Sequence, residues 1–238
     1  MSVATLKMWL QNHPNPHYRS LFCWLKRIRA QGIPTPQWLN IIISYLYKTI
    51  LNVWQTLLRL LIHTPAFKGH LAHCGKRLYL FGGVPYVAGQ LRIIIGNDCR
   101  ISGQTTFTGR NQSASPCLEI GNNVDVGWQS TFAIGNRIIL QDNVRIAGRA
   151  FLFGYSGHSL DAESRAMGAP DDDSDVGDII IKRNAWLGTN VTVCPNVTIG
   201  EGTVVGTGSV VTRDLPDFVV AVGNPARVVR SLKEKHDA

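Results

Sequence analysis

Seven histidines, sixteen carboxylates and five cysteines are the groups in this 238-residue chain best suited to move a proton, hold a metal or attack a carbonyl carbon. The cysteines (Cys23, Cys74, Cys99, Cys117, Cys194) are odd in number and scattered, with no C-x-x-C pair. That argues against a disulfide framework or a zinc site and fits a reducing compartment. Of the histidines (His13, His17, His63, His70, His73, His158, His236), only His158 lies between Ile95 and Leu215, the stretch that repeats. A neutral imidazole can take a proton from a hydroxyl and return it to a leaving group, which is worth about 10²–10⁴-fold in rate. Asp161 follows three residues later, either as a partner in that chemistry or as an ordinary loop carboxylate. Further acids follow up to Asp178, and Asp171, Asp173 and Asp175 begin like a calcium loop. Val176 stands at its sixth position instead of Gly and Lys182 at its twelfth instead of Glu, so we expect no metal site and read these acids as solvated.

The elements that carry His158 follow from a period of six. Apolar residues recur at Ile181, Leu187, Val193, Ile199, Val205 and Val211, with Ala185, Val191, Val197, Thr203 and Ser209 four places after each of the first five. The same spacing appears at Ile95 and Ile101, at Ile120 and Val126, and at Ile134, Leu140, Ile146 and Leu152. This is neither a helix face nor simple strand alternation. It suits a chain that lays down a short strand, turns sharply and repeats, stacking coils about 4.8 Å apart. About five or six coils of three hexapeptides are expected between Ile95 and Leu215. The phase breaks near 110–116, by two residues near Phe132, and between His158 and Ile179. His158 thus sits where a loop, 155–178, leaves the coil.

The stretch 184–230 carries Asn184-x-Trp186-Leu187-Gly188, Gly206-x-Gly208-Ser209-Val210-Val211 and Gly223-Asn224-Pro225-Ala226-Arg227. In these motifs it resembles the hexapeptide-repeat acetyltransferases of the maltose/galactoside O-acetyltransferase type, over roughly residues 93–230. The resemblance implies a mainly β fold, a left-handed parallel β-helix with a helical N-terminal region and a short C-terminal tail. The left hand departs from the usual crossover rule and is taken from the resemblance alone. The family implies acetyl-CoA as co-substrate, a homotrimer, and a catalytic histidine where His158 stands, in His-x-x-Asp. His158 is then the general base and Asp161 its neighbour in the site. Trp186, Gly188, Gly206, Thr207 and Ser209 become candidates for the coenzyme's pantetheine arm, and Arg213, Arg227 and Arg230 for its phosphates. Trp128 and Tyr155 are candidates to stack on a sugar. An Asn that the family often places upstream is replaced around Trp128, so acceptor and oxyanion contacts are not carried over. A γ-class carbonic anhydrase is excluded, because it needs three histidines on the coils. Serine acetyltransferase fits poorly, because its His/Asp-rich run is missing. The expected activity is O-acetylation of a sugar hydroxyl in a glycan or lipid-linked saccharide; the competing expectation is a non-catalytic trimeric scaffold.

Charge divides the chain. The first 97 residues carry 11 Lys and Arg and no acid; the rest carry 13 against all 16 acids. Asn15-Pro16 and Thr35-Pro36 are helix starts, with a helix expected from the first to Gly32 and from the second to His63. In the latter Asn40, Ser44, Lys48, Asn52, Gln55, Arg59 and His63 form one narrow polar stripe. We expect residues 1–75 to be a basic amphipathic helical region that meets either other subunits or an anionic membrane surface, and 76–238 to be the repeat domain. No stretch is apolar enough for an ordinary span, no secretory signal is apparent, and no nucleic-acid motif is present. The expected location is cytoplasmic, peripheral at the inner membrane face.

Overall fold

The computed structural model describes residues 2–232, so His236 and the last residues of the expected tail lie outside the described residues. Two compact units form, Met1–Val53 and Trp54–Ala238.

The first unit is helical. Helix α1 (Val3–Asn12) is capped by Ser2, whose Oγ accepts from Thr5 N–H at 3.1 Å. Helix α2 (Pro16–Ala30) is capped by Asn15 with Pro16 at its start, as expected, and Arg27 and Arg29 lie in its last turn. Trp9, His13 and Tyr18 pack as an aromatic trio between α1 and α2, with Trp9 and Tyr18 ring centres 5.1 Å apart. Helix α3 (Gln37–Leu58) starts in this unit and ends in the next. None of the residues of α1, α2 or α3 is buried. Trp24, Trp38, Ile41, Tyr45, Ile50 and Trp54 are all more than half exposed. No helix of the described residues is long and apolar enough to cross a membrane.

In the second unit the helix does not stop at Thr64-Pro65. It widens into a π turn, Arg59–His63, in which Thr64 N–H bonds to Arg59 O, and continues as α4 (Thr64–Lys68). A proline ring inside an α-helix would clash with the preceding turn, and the wider turn just ahead of Pro65 makes room for it. Phe67 then enters the core fully buried, its ring 6.3 Å from that of Phe107.

From there the chain coils. The first coil is β1 (His73–Cys74), β2 (Tyr79–Phe81) and β3 (Tyr86–Ala88); the second is β4 (Arg92–Ile95), β5 (Arg100–Ser102) and β6 (Thr106–Gly109). The third is β7 (Cys117–Ile120), β8 (Asp125–Val126) and β9 (Thr131–Ile134); the fourth is β10 (Arg137–Leu140), β11 (Arg145–Ile146) and β12 (Phe151–Phe153). The fifth is β13 (Ile179–Ile181), β14 (Trp186–Leu187) and β15 (Thr192–Val193); the sixth is β16 (Val197–Ile199), β17 (Val204–Val205) and β18 (Val210–Val211). A seventh, partial coil is β19 (Val219–Gly223), and β20 (Ala226–Ser231) folds back antiparallel on it. The first strands of the six coils stack into sheet A, the second into sheet B and the third into sheet C, all in parallel. The solenoid therefore has three faces and three edges, AB, BC and CA.

The period of six is the inward column of each face. Ile95, Ile120, Leu140, Ile181 and Ile199 stack in A; Ile101, Val126, Ile146, Leu187 and Val205 in B; Phe107, Phe132, Leu152, Val193 and Val211 in C. All are buried. At the AB edge each coil places one residue in the left-handed backbone region: Arg77, Asp98, Asn123, Asn143, Asn184, Gly202 and Phe218. Asn suits that conformation because its short amide bonds locally. Here the amides also link coils, Asn123 Nδ2 donating to Asn143 Oδ1 at 2.8 Å and Asn143 Nδ2 to Asn184 Oδ1 at 3.0 Å.

Candidate active site

All three breaks in the hexapeptide phase fall on one edge, CA. Ile181 pairs with Ile199, eighteen residues on and three hexapeptides per coil. Ile95 pairs with Ile120, Ile120 with Leu140 and Leu140 with Ile181, so the surplus residues leave after β6, β9 and β12 in turn. Gly154 and Gly177 close the neck of the largest excursion, Gly177 N–H donating to Gly154 O at 2.9 Å. Gly135 sits beside that neck on the coil before. A Cβ there would lie 2.5 Å from Gly154 O and 2.6 Å from Val176 Cγ1, so only glycine allows the loop base to pass.

His158 is exposed on this loop, and among the described residues no hydrogen bond engages its imidazole. Its backbone is fixed locally, Ser156 Oγ donating to His158 O at 3.0 Å. The Asp161 carboxylate does not reach the imidazole. It caps the short helix α5 (Ala162–Ala166), its Oδ2 accepting from Ser164 N–H at 2.7 Å, and that bond holds the carboxyl below its ordinary range. Arg165 Nη1 donates back to Ser159 O and Leu160 O at 2.9 and 3.0 Å, closing the segment on itself. Tyr155, at the start of the loop, runs down face C to the second coil, its hydroxyl 3.4 Å from Thr108 Oγ1.

The solvated-loop reading of the acids fails at Asp171. Its side chain is buried against Arg110, itself 4% exposed, and Arg110 Nε donates to Asp171 Oδ1 at 3.0 Å. Arg110 Nη2 donates to Asp171 O at 2.9 Å, and Nη1 lies 2.8 Å from Asp173 Oδ1. Asp178 is also engaged, by Arg137 N–H and Nε at 3.0 and 3.1 Å. Nothing in the sequence marks the Arg110–Asp171 pair beyond a charged residue at the mouth of the first phase break.

The coenzyme candidates gather mostly elsewhere. Trp186 is half exposed on the outer side of face B, in one row with Val204, Val220 and Arg230. Gly188, Gly206 and the exposed Thr207 follow at the BC edge, and Arg227, opposite Val222, is near them. The glycines have a packing reason: a Cβ on Gly188 would lie 2.8 Å from Thr207 N, and one on Gly206 2.6 Å from Val222 Cγ1. Ser209 drops out of the candidate set. It is fully buried, and its Oγ accepts from Gly223 N–H at 3.1 Å. Arg213 alone of these residues lies on the CA edge, two coils and about 10 Å beyond the His158 loop. Trp128 is likewise not beside Tyr155. It sits at the BC edge with Arg149 over its ring at 5.3 Å. Within one chain, the BC and CA edges are a face apart, about 20 Å for six extended residues.

Residues 178–213 match the family model for bacterial transferase hexapeptide (six repeats). With the three-faced stack, this makes the fold the left-handed parallel β-helix of the hexapeptide-repeat proteins. Over 118 residues the chain is 36% identical to the galactoside O-acetyltransferase of Escherichia coli, covering 50% of this chain and 56% of that enzyme. Over 142 residues it is 31% identical to the galactoside O-acetyltransferase of Lactococcus lactis, covering 59% and 63%. The chain thus spans less than two thirds of these relatives. Among solved structures, a variant of AntD, an N-acyltransferase from Bacillus cereus, shares the fold at a TM-score of 0.58 and 24% identity, over 72% of this chain and 90% of that one.

Proposed function

We propose that the chain is an acetyl-CoA-dependent O-acetyltransferase that acts on a sugar hydroxyl of a glycan or lipid-linked saccharide, with His158 as general base. The observation that carries this reading is the placement of His158, the one histidine of the repeat region, exposed and unengaged on the loop that leaves the coil. The relatives named galactoside O-acetyltransferase support the reaction class and the saccharide acceptor. In the reaction the imidazole takes the proton of the acceptor hydroxyl as its oxygen bonds to the thioester carbonyl carbon. The C–S bond then breaks, and the proton passes to the departing thiolate, leaving an O-acetyl ester and free CoA. No acyl-enzyme is involved. Exposed Arg227 and Arg230, with the uncharged Trp186 and Thr207 nearby, suit a ligand that has phosphates at one end and a long neutral arm.

These groups and His158 lie on different edges of one chain. A cyclic trimer uses two different patches of each subunit at every interface; in this reading the patches are the CA edge of one chain and the BC edge of the next, which together complete the site. In the same reading the exposed apolar side chains and acid-free charge of α1–α3 hold the enzyme at an anionic membrane surface on the cytoplasmic side.

The test is acetyl-CoA binding by calorimetry, followed by transfer to a panel of sugars, with wild type and His158→Ala. The expected result is unchanged coenzyme affinity and a loss of transfer of about 10²-fold or more in the variant. If wild type binds no acetyl-CoA, the coil is a scaffold or takes another donor.

A further inference from the structure

Two anchors hold the His158 loop, and they grip neighbouring residues at the end of the second coil, Thr108 and Arg110. On one side of His158, the Tyr155 hydroxyl lies 3.4 Å from Thr108 Oγ1. On the other, Asp171 and Asp173 take all three guanidinium nitrogens of Arg110. The stretch 156–170, with His158, α5 and the exposed Leu160 and Met167, is strung between these anchors. Burying such a pair is costly: both charges leave water, and apolar residues of similar volume often do as well or better for stability. The Asp171 Oδ2 atom is buried with no hydrogen-bond partner among the described residues, which adds to that cost. The guanidinium instead offers direction. A planar fork meeting a carboxylate, a backbone carbonyl and a second carboxylate admits one placement of the segment 171–173, where an apolar contact would admit several.

We propose that Arg110 is a positioning residue, which fixes the far end of the loop on the second coil and so sets where His158 is presented. This rests on the reading of His158 as the base. A misplacement of about 1 Å at a reacting group can cost about 10²-fold, so the clamp acts on turnover rather than on coenzyme binding.

The loop 155–178 contains one site for trypsin, Arg165, which reports on the clamp without reference to activity. Wild type, Arg110→Gln and the apolar pair replacement Arg110→Leu/Asp171→Leu are compared as full chains. Cleavage after Arg165 is followed by mass spectrometry, and transfer by kcat and KM for acetyl-CoA. Both variants are expected to cut about tenfold faster or more at Arg165 and to lose about 10–100-fold in kcat, with KM within about twofold. The double variant leaves no buried unpaired charge, since Asp173 is exposed, so it serves if Arg110→Gln does not fold. Wild-type cleavage and wild-type kcat in a folded variant overturn the proposal. So does fast cleavage with unchanged kcat, because the loop would then be held without consequence for the base. If His158→Ala keeps full activity, it is the base assignment that falls, while the cleavage rates still decide whether Arg110 holds the loop.

Discussion

Ser164 N–H sits 2.7 Å from the Asp161 carboxylate, and this one bond gives the loop a pH dependence. The carboxyl is held below its ordinary range by that bond, so the cap contributes fully above the unfolded value near ~3.9 and is lost as pH falls through the lower folded value. The protection factor of the Ser164 amide in hydrogen exchange is expected to be flat from neutral pH to about 5 and to fall below about 4. An Asp161→Asn variant keeps a capping oxygen and should lose that dependence while retaining α5. Persistent wild-type protection at pH 2.5 would show that something other than the carboxylate caps the helix. The residue scale is also where the sequence was least informative. Arg110 and Asp171 are 61 positions apart, and a period of six says that each lies in a break without saying that two breaks touch. Ser209 misled for a related reason. It lies in a motif shared with acetyltransferases, but in the place the period reserves for a small inward residue, and it points into the core.

The hexapeptide itself was legible because both of its apolar columns are buried, so each coil restates the same constraint. The six in-phase hexapeptides from Ile181 become the fifth and sixth coils and the start of the seventh without an inserted residue. The first coil was not legible. Cys74 to Leu80 keeps six residues, but Leu80 to the next inward residue, Val87, takes seven. The expected end of the long helix at Thr64-Pro65 failed because a π turn absorbs the proline. The AB edge offers a clean test of the coil as an element. Asn143 combines a left-handed backbone with two amide bonds to neighbouring coils. Asn143→Ala is expected to lower stability by about 1–2 kcal/mol in urea unfolding, from backbone strain and lost bonds. Asn143→Gly, which keeps the conformation freely, should cost less. Equal losses would mean that the amide bonds carry the whole effect.

For the molecule as a whole, the charge division predicts binding behaviour. With no acid before Asp98 and a string of exposed tryptophans and isoleucines on α2 and α3, the protein is expected to sediment with vesicles of anionic phospholipid at low salt. Binding should weaken as salt shortens the screening length from about 10 Å at 0.1 M towards about 3 Å at 1 M, and should be weaker on neutral lipid at any salt. Recovery of all the protein in the supernatant at low salt would remove the membrane reading. Light scattering in detergent should give three times the 26.2 kDa chain mass if the two half-sites meet between subunits. A last consequence follows from the crowding of all three inserted segments onto the CA edge. From the second coil to the sixth the AB and BC edges keep their register, so the length of what emerges at the third edge is not felt by the strands on either side. Such a chain can change what it presents to a ligand by editing a single border of its surface. It keeps its core, its stacking and its other two borders as an unchanged inheritance.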